Sequence, residues 1–186
     1  MPSALVLLAE GAEEMETVIV VDVLRRGGVD VTLAGVAGNK PVKCSRDVTI
    51  VPDTSLESAL TKGPYDAIVC PGGAGGAKIL SQSPVVGKAL QDQESRGGII
   101  GAVCAAPTAL AAHGIGKGKK VTSYPSMGDK MKQGGYRYLE DRVVQDGKLI
   151  TSRGPGTCFE FALKLVEALV DKEKSKSLIE PMLIKI

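Results

Sequence analysis

Short apolar runs that alternate with helical segments are the feature of this sequence that most restricts its fold. The runs occupy residues 4–8, 30–34, 67–70 and 99–103, and each is too short to be a core helix. Strands that are buried on both faces have nearly continuous apolar sequences, and such strands belong to parallel sheets covered by helices. The sequence therefore predicts an α/β fold with a doubly wound, mostly parallel sheet and helices on both faces.

The remaining patterns indicate a single domain over residues 1–186. Helices are predicted over 13–26, 84–95, 104–113 and 157–170, and hairpins over 42–51 and 143–150. Thr157 and Glu160 have the spacing of a capping box at the start of the last long helix. Residues 171–186 are expected to form a short accessory helix docked on the body, the alternative being a frayed tail.

Composition argues against several classes of function. A net charge of +2, with only two Phe, four Tyr and no Trp, gives no nucleic-acid-binding signature. No apolar run approaches the ~20 residues that a membrane span needs, and the apolar start lacks the basic residues of a signal peptide. We therefore expect a cytoplasmic protein with reduced cysteines, and entry into the nucleus or mitochondrion stays open. The cysteines and the single histidine lack zinc-site spacing, so no metal is expected.

The helix predicted from Glu13 to Arg26 is apolar around most of its circumference. Between Val18 and Leu24 only Asp22 is polar, whereas a helix packed on one face has a single apolar stripe. One face can cover the sheet, and a second copy of the chain would cover the rest. We therefore predict a two-fold homodimer through this helix. The alternative is that the C-terminal helix covers it within one chain.

Three loops are expected at the carboxyl ends of the strands, where open parallel sheets bind their ligands. They comprise residues 10–16, 71–76 and 104–107. The first is rich in glutamate, the second is rich in glycine, and the third begins with Cys104. Because parallel strands end at the same edge of a sheet, we expect a site where these loops meet.

Cys104 is the candidate nucleophile. It lies between a predicted strand and a predicted helix with small residues on both sides, as in a nucleophile elbow. A thiol at a helix N-terminus can have a pKa well below its usual ~8.5, although many cysteines are simply buried and inert. Cys158 is a weaker rival because no strand precedes its helix. Cys70 ends a core strand and is expected to be packing, whereas Cys44, in a hairpin, is expected to be exposed and oxidisable.

The partner of this thiol is expected to be a carboxyl group. The only histidine, His113, lies ~13 Å from Cys104 along the same predicted helix, which is too far for a Cys–His pair. The glutamates in residues 10–16 are the remaining candidates, and their spacing does not choose among them, because acidic residues also favour helix N-termini. A carboxyl group buried beside a thiolate would have a raised pKa and donate protons near neutral pH.

The turn at Gly72 and Gly73 can present backbone amides to an oxyanion. The alternative is a phosphate-binding loop. It is disfavoured because Lys78 stands where the pattern G-x-G-x-x-G needs glycine, and no P-loop sequence occurs in the chain. We therefore expect no nucleotide cofactor.

Five ordered segments resemble the DJ-1 branch of the DJ-1/PfpI superfamily, and the similarity runs nearly end to end. They are GAEEMET at 11–17, CSRDV at 44–48, PGG at 71–73, AVCAAPT at 102–108 and TSRGPGT at 151–157. The resemblance implies a flavodoxin-like fold, a homodimer and no cofactor. It also implies that Cys104 is an oxidation-sensitive nucleophile with protonated Glu16 as its partner.

The same resemblance implies further site residues. The backbone amides of Gly73 and Ala105 would lie near the thiol, next to the Gly72 amide of the predicted turn. Arg26 and Arg46 would lie close by and hold anions, with Arg46 arriving across the dimer interface. Tyr124 stands where many members have histidine, which predicts weaker or differently tuned proton transfer.

The resemblance finally implies a set of activities. These are conversion of methylglyoxal and glyoxal to hydroxy acids, deglycation of early adducts on proteins and nucleotides, chaperone activity and protection against oxidative stress with stress-pathway protein partners. The non-enzymatic alternative is a redox sensor in which Cys104 stops at sulfinic acid, held by Glu16. The protease branch places histidine directly after its cysteine, and this chain has Ala105 there, which argues against peptidase activity.

Overall fold

A computed structural model describes residues 1–186. The strands are β1 (Ser3–Leu8), β2 (Asp30–Gly35), β3 (Val42–Lys43), β4 (Thr49–Ile50), β5 (Thr54–Ser55), β6 (Ala67–Cys70), β7 (Ile99–Val103), β8 (Lys120–Val121), β9 (Arg137–Tyr138), β10 (Val143–Asp146) and β11 (Leu149–Ser152). The helices are α1 (Glu14–Arg26), α2 (Leu56–Thr61), α3 (Ala74–Gln82), α4 (Pro84–Ser95), α5 (Pro107–His113), α6 (Gly128–Gln133), α7 (Cys158–Leu169) and α8 (Lys172–Ser177). Short 3₁₀ turns precede α6 and α7.

The central sheet has seven strands in the order β10-β11-β7-β6-β1-β2-β5. Every neighbouring pair is parallel except β10 with β11, which form the predicted antiparallel hairpin. The second predicted hairpin pairs β3 with β4 outside this sheet. The doubly wound, mostly parallel fold predicted from the sequence is therefore confirmed.

The strand β1 divides the core into two layers because alternate side chains point to opposite faces of a sheet. Ala4, Val6 and Leu8 face a cluster that contains α1 and α7, whereas Leu5 and Leu7 face a cluster that contains α2 to α5. All five are buried. Both faces of the sheet are covered, which explains why its central strands are apolar without alternation.

The helix α1 packs on α7 as well as on the sheet. Val20 and Leu24 of α1 lie in one cluster with Phe161 of α7. The helix α7 thus covers much of the apolar surface of α1 within one chain, which was the alternative to a dimer. It does not cover Met15 and Val18, which remain 54% and 50% exposed.

Several short elements were not expected from the sequence. The helix α3 is the clearest case, because Gly75 and Gly76 lie in its first turn and glycine is a poor helix former. Tertiary packing requires them: a Cβ on Gly76 would lie 2.9 Å from the Cα of Ala12. The expected capping box is also wrong. The Thr157 hydroxyl accepts hydrogen bonds from the backbone N–H groups of Arg153 and Gly154, each at 3.1 Å, so it does not cap α7.

The C-terminal segment lies against α7. In α8 the buried Ser175 hydroxyl donates a hydrogen bond to the backbone oxygen of Leu163 at 2.8 Å, and Leu178 is buried. The helix itself is formed by the polar residues of this segment, and the apolar residues follow it. None of the helices combines the length and the hydropathy that a membrane crossing requires.

Candidate functional site

Three loops meet at the carboxyl edge of the sheet, as the sequence predicts. They follow β1, β6 and β7, which are neighbours in the sheet. Hydrogen bonds join the first two loops, since the Glu13 N–H donates to the backbone oxygen of Gly72 at 3.0 Å. Cys104 is the first residue after β7 and faces both.

Cys104 occupies a sharp turn between β7 and α5. Its φ is +63°, in the left-handed region that residues other than glycine seldom adopt. Its backbone N–H donates to the oxygen of Ser152 at 3.1 Å, and its backbone oxygen accepts from the N–H of Tyr124 at 2.8 Å. Pro107 then starts α5, where its missing N–H costs no hydrogen bond. The geometry is that of a nucleophile elbow.

Glu16 is the glutamate that lies at this thiol. Its side chain is fully buried, and its Oε1 accepts a hydrogen bond from the Gly72 N–H at 2.9 Å. Its Oε2 has no hydrogen-bond partner. Burial, reinforced by the nearby charge of Glu13, raises the pKa of Glu16 from 4.5 to about 7. The carboxyl group therefore carries a proton over much of the range below neutrality and can donate it.

The electrostatics of Cys104 are coupled to those of Glu16. Burial and the Glu16 charge raise the pKa of Cys104 to about 12, and the backbone amides of Gly73 and Ala105 oppose this shift. Burial outweighs any lowering of this pKa by a helix N-terminus, since α5 starts only at Pro107, three residues after the thiol. The Glu16 contribution to the shift vanishes when Glu16 is protonated. A neutral Glu16 therefore favours the Cys104 thiolate more than an ionised Glu16 does.

The three predicted amides do not serve one purpose. The backbone amides of Gly73 and Ala105 lie near the Cys104 sulfur, since both act to lower the pKa of its thiol. The amide of Gly72 is directed to Glu16 instead. Gly73 needs its glycine because its φ is +86° and a Cβ there would lie 2.4 Å from the backbone oxygen of Gly11. Two amides, not three, are therefore placed to hold an oxyanion near the sulfur.

Glu14 fixes a second loop to the start of α1. Its buried carboxylate accepts from the Ser45 hydroxyl at 2.9 Å and from the backbone N–H of Arg46 at 2.7 Å. These hydrogen bonds hold the pKa of Glu14 below its usual value, although burial opposes the shift. Next to this loop lies Cys44, which is only 4% exposed. The expectation that Cys44 is exposed is wrong, because Glu14 and the backbone hydrogen bonds from Gly11 to Lys43 and from Ser45 to Ala12 hold its loop against the body.

The two predicted arginines are not at the thiol of their own chain. Arg26 lies at the opposite end of α1 from Glu16, about 15 Å along the helix axis, and forms an ion pair with Asp22. The Arg46 side chain is exposed and donates to the backbone oxygen of Ser45. Tyr124, in contrast, is adjacent to the elbow through its backbone and has a half-exposed side chain.

The remaining candidates have packing roles. Cys70 is buried at the end of β6, and burial raises the pKa of its thiol to about 12. Cys158 is also fully buried, and burial with the charge of Glu16 raises its pKa. His113 ends α5 and contacts the Leu80 oxygen at 2.7 Å through Nε2, as expected for a residue with no role at the thiol. No group of three or more His, Cys, Asp or Glu side chains is arranged to hold a metal.

Two residues at the elbow were not singled out in the sequence, although they lie in the quoted segment 151–157. Ser152 accepts the Cys104 N–H through its backbone oxygen. Arg153 donates its Nε–H to the backbone oxygen of Ser123 at 3.0 Å. The contact of Ser152 is made by its backbone and that of Arg153 joins segments far apart in the chain, so no local residue pattern marks either one.

Comparisons with known proteins agree with this architecture. A model described as the DJ-1/PfpI family matches residues 2–168. The chain is 57% identical over 183 residues to "Parkinson disease protein 7 homolog" of Danio rerio, covering 98% of this chain and 97% of that protein. It is 50% identical over 181 residues to "Glutathione-independent glyoxalase DJR-1.2" of Caenorhabditis elegans, covering 97% and 95%. The crystal structure of Drosophila melanogaster DJ-1beta superposes with a TM-score of 0.95 at 53% identity, covering 100% of this chain and 99% of that one.

Proposed function

Because the chain belongs to the DJ-1/PfpI family, we propose that it is a cofactor-free, cysteine-dependent enzyme that converts methylglyoxal and glyoxal to hydroxy acids. The observation that most strongly supports this activity is the position of a buried, readily protonated Glu16 beside Cys104 in its strand-to-helix turn. A glyoxalase-type activity occurs in the family, since one worm relative bears that name. Early glycation adducts are proposed as further substrates because they present the same carbonyl chemistry.

The proposed reaction begins with attack of the Cys104 sulfur on the aldehyde carbon, and the thiol proton passes to the oxygen of the new hemithioacetal. The resulting hemithioacetal oxygen accepts hydrogen bonds from the amides of Gly73 and Ala105. Glu16 then moves a proton from the former aldehyde carbon to the neighbouring carbonyl carbon, and the hemithioacetal hydroxyl proton passes to the oxygen of that neighbour, which leaves a thioester. Water hydrolyses the thioester and releases the hydroxy acid and the free thiol. The aldehyde carbon is oxidised as its neighbour is reduced, so no external oxidant is needed.

Glu16→Gln tests this division of roles. The amide keeps the size of the carboxyl group and can still accept from the Gly72 N–H, but it cannot carry the proton. We expect methylglyoxal to add to Cys104 and lactate formation to fall about 100-fold or more, so that the adduct accumulates in the intact-protein mass spectrum. Lactate formation at the wild-type rate would contradict the proposed role of Glu16.

A redox-sensing role is the second candidate, and the unpartnered Oε2 of Glu16 favours it. Peroxide would oxidise Cys104 to sulfinic acid, and a protonated Glu16 would donate a hydrogen bond to the new oxygen. Glu16→Asp shortens this arm, and we expect oxidation to proceed to sulfonic acid in the mass spectrum. A clean stop at sulfinic acid in that variant would contradict the assignment. Chaperone activity and stress-pathway protein partners remain proposals on family grounds.

A homodimer through α1 is proposed as the working state. Its support is the pair Met15 and Val18, which are exposed on α1 although α7 already covers the neighbouring apolar residues. Only a partner subunit would bring an arginine to the thiol, because Arg26 and Arg46 do not reach the thiol of their own chain. We propose that the partner's Arg46 holds the anionic part of the substrate or product. The same chain is proposed to act in the cytoplasm.

A further inference from the structure

The left-handed backbone of Cys104 needs an external restraint. Its φ of +63° is unfavourable for a residue with a Cβ. Such strain persists only where the surrounding structure fixes the backbone from several sides. We therefore look for this restraint in the groups that form hydrogen bonds with the backbone of Cys104.

Two hydrogen bonds supply this restraint, one on each side of the residue. The N–H of Cys104 is held by the oxygen of Ser152, which ends β11. The oxygen of Cys104 is held by the N–H of Tyr124, which lies in the segment after β8. The conformation of the elbow therefore depends on the distance between these two segments.

Arg153 joins the two segments. Its Nε donates to the oxygen of Ser123 at 3.0 Å, one residue before Tyr124. Its two terminal nitrogens donate to the oxygen of Glu140 at 3.2 Å and to the hydroxyl of Tyr138 at 3.4 Å. Arg153 takes part in none of the ion pairs of the structure. A planar guanidinium that serves three acceptors at once is suited to fixing backbone segments.

We propose that Arg153 is a positioning residue that keeps Cys104 in its reactive conformation by fixing Ser123 and Tyr124 against the end of β11. The proposal rests on the proposed function in taking Cys104 as the reactive group. We call the hydrogen bonds of the Arg153 guanidinium the clamp. The clamp keeps the Cys104 sulfur close to the backbone amides of Gly73 and Ala105. When it is released, the turn relaxes and the sulfur loses these donors.

The side chain of Arg153 can be removed without removing the local backbone structure. The N–H groups of Arg153 and Gly154 are both held by the Thr157 hydroxyl, which also contacts the Ser152 hydroxyl at 2.7 Å. None of these bonds uses the guanidinium. Arg153→Met is therefore the informative variant. Arg153→Lys keeps the positive charge but lacks the planar guanidinium with its several N–H donors.

The test measures alkylation of Cys104 by iodoacetamide as a function of pH. We expect Arg153→Met to react about tenfold more slowly at neutral pH and to have a higher pH midpoint, because the thiolate is the reactive species and its fraction falls when the sulfur loses nearby amide donors. For Arg153→Lys, we expect an alkylation rate and a pH midpoint between those of the wild type and Arg153→Met. Arg142→Met is the matched control, since Arg142 contacts Glu160 and Gly156 in the same region but not Ser123, and it should react like the wild type.

A purely structural role would lower stability without moving the pH midpoint, and that result would overturn the proposal. If Arg153→Met does not fold, Arg153→Lys carries the test, and alkylation identical to the wild type would overturn it. The test also separates the two proposals. Normal lactate formation by the wild type with unchanged alkylation of the variants would refute the clamp alone, whereas altered alkylation without wild-type turnover would refute the enzymatic function alone.

Discussion

Gly72 passes so close to Cys104 that a Cβ atom built on Gly72 would lie 2.6 Å from the Cβ of Cys104. The same added atom would lie 2.6 Å from Oε1 of Glu16. Gly72 is therefore the point at which the thiol and the carboxyl group are brought together. Its N–H holds one member of the pair, and its missing side chain leaves room for both.

We expect Gly72→Ala to disrupt the pair. The methyl group has to displace backbone as well as side chains, so the free energy of unfolding should fall by about 1–3 kcal/mol, as for other overpacked sites. Alkylation of Cys104 should slow at the same time. Gly156→Ala is the control, because nothing lies within 4 Å of a Cβ there, and urea unfolding should leave it within about 0.5 kcal/mol of the wild type.

The raised pKa of Glu16 predicts a pH dependence of stability. Because the folded state holds this proton up to about pH 7 and the unfolded chain releases it near 4.5, the stabilisation is complete below pH 4.5 and is lost as the pH rises towards 7 and beyond. The difference corresponds to about 3 kcal/mol, at about 1.4 kcal/mol for each pKa unit.

The measurement is urea unfolding of the wild type and of Glu16→Gln at pH 5 and pH 8. Other titrating groups are common to both proteins and cancel in the comparison. We expect the wild type to lose stability relative to Glu16→Gln as the pH rises. Parallel stabilities at both pH values would mean that Glu16 is ionised in the folded protein like an ordinary surface carboxylate.

The Glu14 contacts predict which cysteines react. In the wild type, Cys104 should be alkylated first, because the other three cysteines are buried. Glu14→Ala removes the acceptor of the Ser45 hydroxyl and the Arg46 N–H, so Cys44 should become reactive as its loop detaches. Peptide mass mapping after alkylation checks this, with Glu57→Ala, at an exposed position in α2, as the control. A Cys44 that stays unreactive in Glu14→Ala would show that other contacts hold the loop.

The proposed dimer predicts the effect of a charge on α1. Val18→Asp places a carboxylate on the half-exposed apolar position of the proposed interface, and burying an unpaired charge is costly. Sedimentation velocity over a range of concentrations should find a dimeric wild type and a monomeric variant. Val85→Asp adds the same charge at a similarly exposed valine of α4 and should remain dimeric. Identical sedimentation of all three proteins would contradict the proposal that α1 forms the dimer interface.

Hydrophobic patterning was sufficient to predict all strands of the central sheet except the edge strand β5, together with the longest helices. The apolar strands and the turn at Cys104 have local signals, so they could be placed from the sequence. The helix α3 could not, because Gly76 is there to let Ala12 approach, and that contact is visible only in three dimensions.

The site could be predicted only in part for the same reason. Cys104 and a partner carboxyl group follow from residue types, but the choice of Glu16 over its neighbours came from the family resemblance. The structure places Glu16 in the core, with Glu13 capping the helix and Glu14 tied to a loop. The burial of Cys44 and the role of Arg153 depend on contacts between distant segments, which no local pattern records.

The most direct test of the central claim is lactate formation from methylglyoxal by the purified wild type and by Cys104→Ser, with Cys158→Ser as the control. We expect the wild type and Cys158→Ser to produce lactate and Cys104→Ser to produce none above the uncatalysed rate. Equal lactate formation by the wild type and Cys104→Ser would contradict the claim that Cys104 is the nucleophile of this protein.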